Sequence, residues 1–398
     1  MGFSSLKNTK ILTFLVKPQC LIIIIKSNKQ RKNMRNILKT IAVLVSASLI
    51  SVAAKAGELT VTGSAKASYV MESGFSDNGK GMGISNELKF SASGELDNGF
   101  TWNYHMELDP AAGGASTAQD DTAIVIGMGD LGKIGIYDAE GGLSTELKFG
   151  IGAMGTGADY ANTMTNIGRG YDVSADPHFA YHTPAGLLPF GIEAAIGYAP
   201  NTADGQGNDY KSTGAVGDAS QDGTNATQYQ ITAKPIDGLT IGADYYETGG
   251  DKLSTISQEK TGGNIFAQYA IGNFKIGYSN GKLEPSKITD KAATASADTA
   301  TALNGDAYES DAIGVEFAVN DQLSISYTSE DFTRTHKTMA ATASTNTSTS
   351  VTSEQTTIMA AYNVGGAVVG VSLIDTDNSD YTANREEKKT IFSLAFEF

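Results

Sequence analysis

The sequence predicts an all-β fold, a transmembrane antiparallel β-barrel of sixteen strands, and three observations lead to this prediction. Apolar and polar residues alternate with period two over many short segments, as they do in strands with one apolar face. Short connections rich in Gly, Asn, Asp and Pro alternate with long polar ones. After residue 56, no stretch approaches the 18 apolar residues of a membrane-spanning helix.

Residues 34–56 have the pattern of a cleaved secretory signal peptide. A basic start that includes Arg35 precedes the short apolar stretch 41–50, and small residues stand at Ala54 and Ala56. We expect cleavage after Ala56. A membrane anchor is the alternative, but the apolar stretch is shorter than the ~20 residues that a spanning helix needs.

Residues 1–33 do not fit a targeting segment or a domain. The apolar run 21–25 is bracketed by lysines too closely to cross a bilayer. We interpret residues 1–33 as an upstream extension that results from a wrongly assigned start codon, with Met34 as the true start. The predicted barrel then occupies residues 57–398.

The charge distribution excludes one class of partner. The chain has 398 residues and a formal net charge of −15, but residues 1–56 contain ten Lys and Arg and no acidic residue, so the remainder carries −25. Nucleic-acid binding requires a basic surface, and we therefore expect no nucleic-acid partner. The single cysteine, Cys20, lies in the leading segment, so the rest of the chain has no disulfide and no cysteine metal site.

The order of strands and connections predicts the architecture. At the start of the first strand, Leu59 and Val61 lie on one face and Thr60 and Thr62 on the other. The short connections centre on residues 97–99, 129–132, 184–189, 236–238, 271–273, 320–322 and 363–366. The long polar ones include residues 199–226, 283–309, 332–353 and 375–388. Seven short and eight long connections join sixteen strands.

An outer-membrane barrel has this organisation, with short periplasmic turns and long extracellular loops. Only a closed barrel satisfies every backbone group in lipid without helices. A soluble β-sandwich is the alternative. It would explain the alternation within each strand but not the strict alternation of short and long connections.

The last strand makes the resemblance to a known family specific. Residues 389–398 place Phe392, Phe396 and Phe398 on one face and end the chain on an aromatic residue, which is similar to the terminal insertion signal of Gram-negative outer-membrane proteins. From Gly57 to the C-terminus the chain resembles the general porins, the general diffusion porin family. The resemblance implies a homotrimer in the outer-membrane lipid of a Gram-negative bacterium, closure of the barrel by the first and last strands, and an inward-folded third loop.

The third long connection, roughly residues 138–177, matches the position of the porin constriction loop. Its candidate pore residues are Asp138, Glu140, Lys148, Asp159, Arg169, Asp172 and Asp176. The candidate residues of the opposing wall are Lys66, Glu87, Lys89, His105 and Glu107. By resemblance, the two sets would create a transverse field across the narrowest point of the pore.

This wall lacks the arginine cluster typical of the family. Together with the charge of −25, its absence favours a weakly cation-selective channel. The alternative is that most carboxylates lie on solvated loops and do not affect the lumen.

Two further motifs have simple interpretations. Residues 127–132 fit G-x-G-x-x-G, but a strand follows instead of the helix that a dinucleotide site requires, so a hairpin turn is predicted. A second motif has the spacing of a calcium loop but lacks its glycine and its flanking helices, which favours a polar loop and no metal. Its candidate ligands are Asp375, Asp377, Ser379 and Glu386.

The predicted function is passive diffusion of ions and small hydrophilic solutes through a water-filled pore, without a cofactor and without catalysis. The four histidines are not accompanied by a recognisable nucleophile motif. A substrate-selective porin with a lumenal binding site shares the fold and remains open. An outer-membrane enzyme and an adhesion barrel are the more distant alternatives.

Overall fold

The sheet is a closed antiparallel barrel of sixteen strands, as predicted. A computed structural model describes residues 59–74, 79–109, 118–145, 151–154, 171–200, 202, 225–249, 256–258, 260–285, 287–288, 303–339 and 347–398. The predicted extension and signal peptide lie outside these residues. None of the described residues belongs to a helix long and apolar enough to cross a membrane.

Strands β1 to β9 occupy the first half of the barrel. Their bounds are β1 Leu59–Gly74, β2 Gly79–Glu95, β3 Thr101–Asp109, β4 Ala118–Gly127, β5 Lys133–Asp138, β6 His178–His182, β7 Glu193–Ala199, β8 Asn225–Ala233 and β9 Leu239–Gly249. Each strand pairs with the next along the chain.

The second half adds seven barrel strands and a small separate sheet. The barrel strands are β11 Thr261–Ile271, β12 Phe274–Glu284, β14 Leu303–Ala318, β15 Leu323–Met339, β16 Thr347–Asn363, β17 Ala367–Asp377 and β18 Glu387–Glu397. A two-stranded sheet is formed by β10 Ile256–Gln258, in the connection between β9 and β11, and β13 Lys287–Ile288, in the connection between β12 and β14. Strand β18 pairs with β1 and closes the barrel.

Alternation along each strand separates a lipid-facing surface from the lumen. Ile265 of β11 and Phe392 of β18 are exposed on the outer surface, whereas Gln228 of β8 and Ser372 of β17 are buried on the inner one. Because the side-chain period of a strand is two, a fixed register keeps one face of each strand on the lipid side and the other face on the lumen side. The protein's buried clusters therefore lie inside the barrel, where loops pack on the wall.

All seven short turns occur where the sequence predicts them. The G-x-G-x-x-G segment forms a 3-10 turn, Gly129–Leu131, between β4 and β5, as expected for a hairpin. Gly129 and Gly132 have φ values of 60° and 86°, in the left-handed region that glycine adopts without steric cost.

Several predicted loop bounds are wrong because the strands continue into the polar segments. The expected loop 332–353 contains the ends of β15 and β16, which extend to Met339 and begin at Thr347, and β14 begins at Leu303 inside the expected loop 283–309. Hydroxyl groups pair across these ends, Thr333 with Thr352 at 2.8 Å and one further pair of the same kind. Polar side chains face water at this level, so the apolar alternation ends while the backbone ladder continues.

Candidate functional site at the pore constriction

The third long connection folds into the barrel, as predicted. Leu143 and Val173, from its two ends, are fully buried against Gly197 of β7. Further along the loop, Ile151 lies on Gly314 of β14. A Cβ at position 197 would lie 2.9 Å from Cγ1 of Val173, and one at position 314 only 2.5 Å from Cγ2 of Ile151. The glycines therefore provide the space that the loop occupies.

Asp172 ties the two ends of this loop together. Its carboxylate accepts hydrogen bonds from the backbone N–H groups of Leu143 at 3.1 Å, Ser144 at 2.7 Å and Ser174 at 2.9 Å. Two of these donors lie almost thirty residues earlier in the chain. Asp172 thus stabilises the base of the loop, and its carboxylate oxygens accept hydrogen bonds from backbone N–H groups.

His178 makes a second connection between the ends of the loop. It is buried at the start of β6 and stacks on Tyr137 of β5 at 5.2 Å between ring centroids. Its Nδ1 lies 2.9 Å from the carbonyl oxygen of Asp176, and its Nε2 lies 3.3 Å from that of Gly141. One imidazole therefore contacts backbone at both ends of the loop.

A group of charged side chains lies where the loop leaves β5, and we call it the wall cluster. It consists of Lys89 on β2, His105 and Glu107 on β3, Asp121 on β4 and Glu140 on the loop. The Glu140 carboxylate accepts a hydrogen bond from Nζ of Lys89 at 3.0 Å and is also hydrogen-bonded to Nε2 of His105. Lys89 pairs with Glu107 as well.

The cluster keeps Glu140 ionised. Burial by itself would raise the pKa of this carboxyl, but the hydrogen bonds and charges of Lys89 and His105 outweigh burial and lower the pKa below its ordinary value of 4.5. A fixed negative charge is therefore present at the first residues of the inward loop.

Glu107, Asp121 and Glu140 form a group of three carboxylates whose nearest oxygens lie within 4.8 Å of one another. Within the described ranges, this is the group whose spacing would suit a metal ion. The ammonium group of Lys89 already bonds two of these carboxylates, and it supplies there the positive charge that a metal would bring.

The predicted site residues are only partly brought together. Glu140 joins Lys89, His105 and Glu107, and Lys66 and Glu87 lie on neighbouring strands of the same wall. Of the predicted loop residues, Asp138 is buried at the end of β5, and Asp172 and Asp176 lie at the base of the loop. Lys148, Asp159 and Arg169 fall outside the described residues.

Two residues of the site are missing from the sequence prediction. Asp121 joins the wall cluster, and Asp244 of β9 bonds the inward loop from the opposite side of the lumen. Asp121 and Asp244 are both carboxylates at inward positions of barrel strands, and this pattern in the sequence could have indicated them as site residues. A register shift between β3 and β4, next to Glu107, made the position of Asp121 difficult to anticipate.

The candidate calcium ligands are not gathered into one site. Asp375 pairs with Lys388 at 2.5 Å, and the Ser379 side chain is buried in the loop that follows β17. Arg385 lies in the same loop and bonds Asp380 at 3.5 Å and Glu387 at 2.7 Å. Among the described residues, Asp375, Asp377 and Glu386 do not form a group with the spacing that a metal ion needs.

Phe392, Phe396 and Phe398 lie exposed on the outer surface, on the face that the sequence predicts. Their proposed part in membrane insertion stays a prediction.

Known structures share this fold. A porin refined at 1.8 Å resolution aligns with a TM-score of 0.55 and 16% identity, over 86% of this chain and 100% of its own. An anion-selective porin from Comamonas acidovorans aligns with a TM-score of 0.58 and 13% identity over the same shares. The trimer form of OmpT, an outer membrane protein of Vibrio cholerae, aligns with a TM-score of 0.57 and 12% identity, again over 86% and 100%.

A search of curated proteins found no match. The family model of the Gram-negative porins matches residues 40–335, about three quarters of the chain. The match agrees with the closed sixteen-stranded barrel that the chain shares with the known porin structures. The chain belongs to the Gram-negative porin family and forms a channel of the outer membrane.

Proposed function

We propose that this porin is a homotrimeric, water-filled channel with a weak preference for cations, through which ions and small hydrophilic solutes diffuse passively. The wall cluster supports the cation preference most directly. It places three carboxylates, Glu107, Asp121 and Glu140, beside one lysine and one histidine at the base of the inward loop.

The excess of negative charge has a physical effect on permeation. Fixed carboxylates in a narrow pore with low-dielectric walls raise the local concentration of cations and lower that of anions. Lys89 neutralises part of this charge, which is why we expect a weak preference. One structurally similar porin is named anion-selective, but at 13% identity the similarity supports a shared fold and not a shared selectivity.

The inward loop supports a size limit. Its described parts rest on β7, β14 and β17, through Val173, Ile151 and Met154 respectively. These contacts place the described parts of the loop inside the barrel, where they reduce the open cross-section of the lumen. We expect solutes to pass between the loop and the wall of β2 to β4, where the wall cluster lies.

The proposal includes no enzymatic activity. His105 is hydrogen-bonded to Glu140, and both ring nitrogens of His178 contact backbone carbonyl oxygens. Through these contacts, both imidazoles hold the inward loop in place.

Reconstitution in a planar bilayer tests the channel. We expect stepwise conductance in threes and a reversal potential on the cation side across a salt gradient. A potential on the anion side would overturn the selectivity, and the absence of conductance from a folded barrel would overturn the channel and favour an adhesion barrel. Conductance that saturates with one solute would favour a substrate-selective porin over a general diffusion channel. Lipid hydrolysis by the purified protein that is lost in His105→Ala would indicate an enzyme.

The assembly and processing proposals have separate tests. The trimer form of OmpT supports the homotrimer, and chemical crosslinking of the porin in outer-membrane vesicles should give a three-subunit product. Sequencing of the N-terminus of the exported protein should begin at Gly57. A gene that starts at Met34 should direct the same export as one that starts at Met1.

A further inference from the structure

A buried carboxylate on β9 is the centre of the contacts between the inward loop and the wall. Asp244 faces the lumen and is only 7% exposed. Its Oδ2 accepts hydrogen bonds from the backbone N–H and from Oγ1 of Thr145, both at 2.6 Å. Thr145 belongs to the loop and is fully buried.

The wall completes the shell of donors around this carboxylate. Nδ2 of Asn264 on β11 donates to Oδ2 at 3.2 Å, and Nε2 of Gln228 on β8 donates to Oδ1 at 3.3 Å. Within the described part of the chain, the partners of Asp244 are these neutral donors. A carboxylate that accepts four hydrogen bonds from three other elements holds those elements in one arrangement.

The same network reaches the other arm of the loop. Gln228 accepts a hydrogen bond from the backbone N–H of Val173 at 2.7 Å and donates to the carbonyl oxygen of Tyr171 at 3.1 Å. Asn264 also donates to Oγ of Ser144 at 3.2 Å. Asp244 therefore acts directly on the first arm and, through Gln228, on the second.

The oxygens of Asp244 act as acceptors at all four contacts, and this is the chemistry that the position requires. An asparagine would present an NH₂ group to one of the donor sets and leave buried groups unpaired. Burial of a carboxylate without an ionic partner is unfavourable by itself, and its charge-assisted hydrogen bonds offset that cost only while the loop is docked. The docked loop thus supplies two of the four hydrogen bonds that this buried carboxyl group accepts.

We propose that Asp244 is a positioning residue that holds the inward loop against the wall formed by β8, β9 and β11, and thereby determines the size limit of the pore. This inference rests on the proposed channel function. The carboxylate is covered by Thr145 and does not line the path of the ions, so its effect should be on solute size rather than on charge preference.

The first experiment compares Asp244→Asn with the control Asp331→Asn, which changes an exposed carboxylate on β15, in the full-length protein. In liposome swelling with sugars of increasing size, Asp244→Asn should raise the relative rate of solutes near the size limit about twofold, while the reversal potential stays unchanged. The control should match the wild type in both. A folded Asp244→Asn barrel with the wild-type size limit would overturn the proposal.

A second variant restores the contact by a different bond. The chain has its single cysteine at position 20, before the barrel, so the pair Thr145→Cys and Asp244→Cys can form one defined disulfide across the contact. The oxidised protein should show the wild-type size limit, and reduction should enlarge it. Equal size limits in the two states of the same folded protein would contradict the proposal.

A readout without transport separates this inference from the channel function. Trypsin can cleave after Lys148 and Arg169, which lie between the two docked arms. Cleavage at these positions should be faster in Asp244→Asn than in Asp331→Asn while the barrel remains folded. If Asp244→Asn is cleaved faster but the wild-type protein does not conduct, the role of Asp244 in holding the loop would be supported and the channel function would be contradicted. If the two variants are cleaved at equal rates, only the role of Asp244 would be contradicted.

Discussion

Nζ of Lys89 lies 3.0 Å from Oε1 of Glu140 and joins strand β2 to the first residues of the inward loop. The two residues are 51 positions apart in the chain. Lys89 also pairs with Glu107, so one ammonium group is shared between two carboxylates. This sharing leaves negative charge in excess at the point where solutes would pass the loop.

Glu140→Gln should therefore weaken the cation preference. Neutralising one of three clustered carboxylates should reduce the reversal potential by roughly a third in dilute salt, because fixed charge controls ion entry. The control is Glu309→Gln, whose side chain is 57% exposed and pairs with Lys282. Reversal potentials of the two variants that change equally would contradict this role of Glu140.

The pH dependence of the same residue follows from the direction of its pKa shift. Since the pKa of Glu140 is lowered below 4.5 in the folded protein, its charge is present above that value and is lost only as the pH falls through the lowered pKa. The difference in reversal potential between wild type and Glu140→Gln should keep more than half of its pH 7 size at about pH 4.5 and disappear at lower pH. A difference that is already halved at pH 6 would show a raised pKa instead.

Gly197→Val should push the loop away from β7. The new Cβ would lie 2.9 Å from Cγ1 of Val173 and 3.1 Å from Cδ1 of Leu143, and such overpacking costs about 1–3 kcal/mol. We expect a lower unfolding temperature and faster trypsin cleavage of the loop. Gly81→Val on β2 is the matched control, because no atom lies within 4 Å of its added Cβ.

Phe398→Ala separates the predicted insertion signal from barrel closure. The backbone of Phe398 bonds Gly63 through two hydrogen bonds of 2.7 and 2.9 Å, which alanine retains. If the aromatic side chain is an insertion signal, the variant should reach the outer membrane in smaller amounts but show wild-type thermal stability once assembled. The control is Phe190→Ala, an aromatic residue that is 67% exposed in a turn. Equal assembly of both variants would leave the terminal ring without this role.

The candidate site was only partly predictable from the sequence. Lys89, His105 and Glu107 could be placed on one wall because alternation assigns inward positions on two consecutive strands. Asp172 was expected near the pore, yet it binds backbone N–H groups at the base of the loop. The donors that bind a carboxylate depend on the backbone that folds against it. The path of a loop backbone leaves no periodic pattern in the sequence, so these donors could not be predicted.

The sequence by itself determined the barrel, its sixteen strands and the positions of its seven turns. Each of these follows from local patterns, namely the period of two along a strand and the conformations available to Gly, Asn, Asp and Pro in turns. Only the tertiary structure decided that Thr145 meets Asp244, 99 positions further along, and that Glu140 meets Lys89. Contacts across a barrel lumen join segments that are distant in the chain, and they depend on which wall positions leave room for the loop, as Gly197 and Gly314 do.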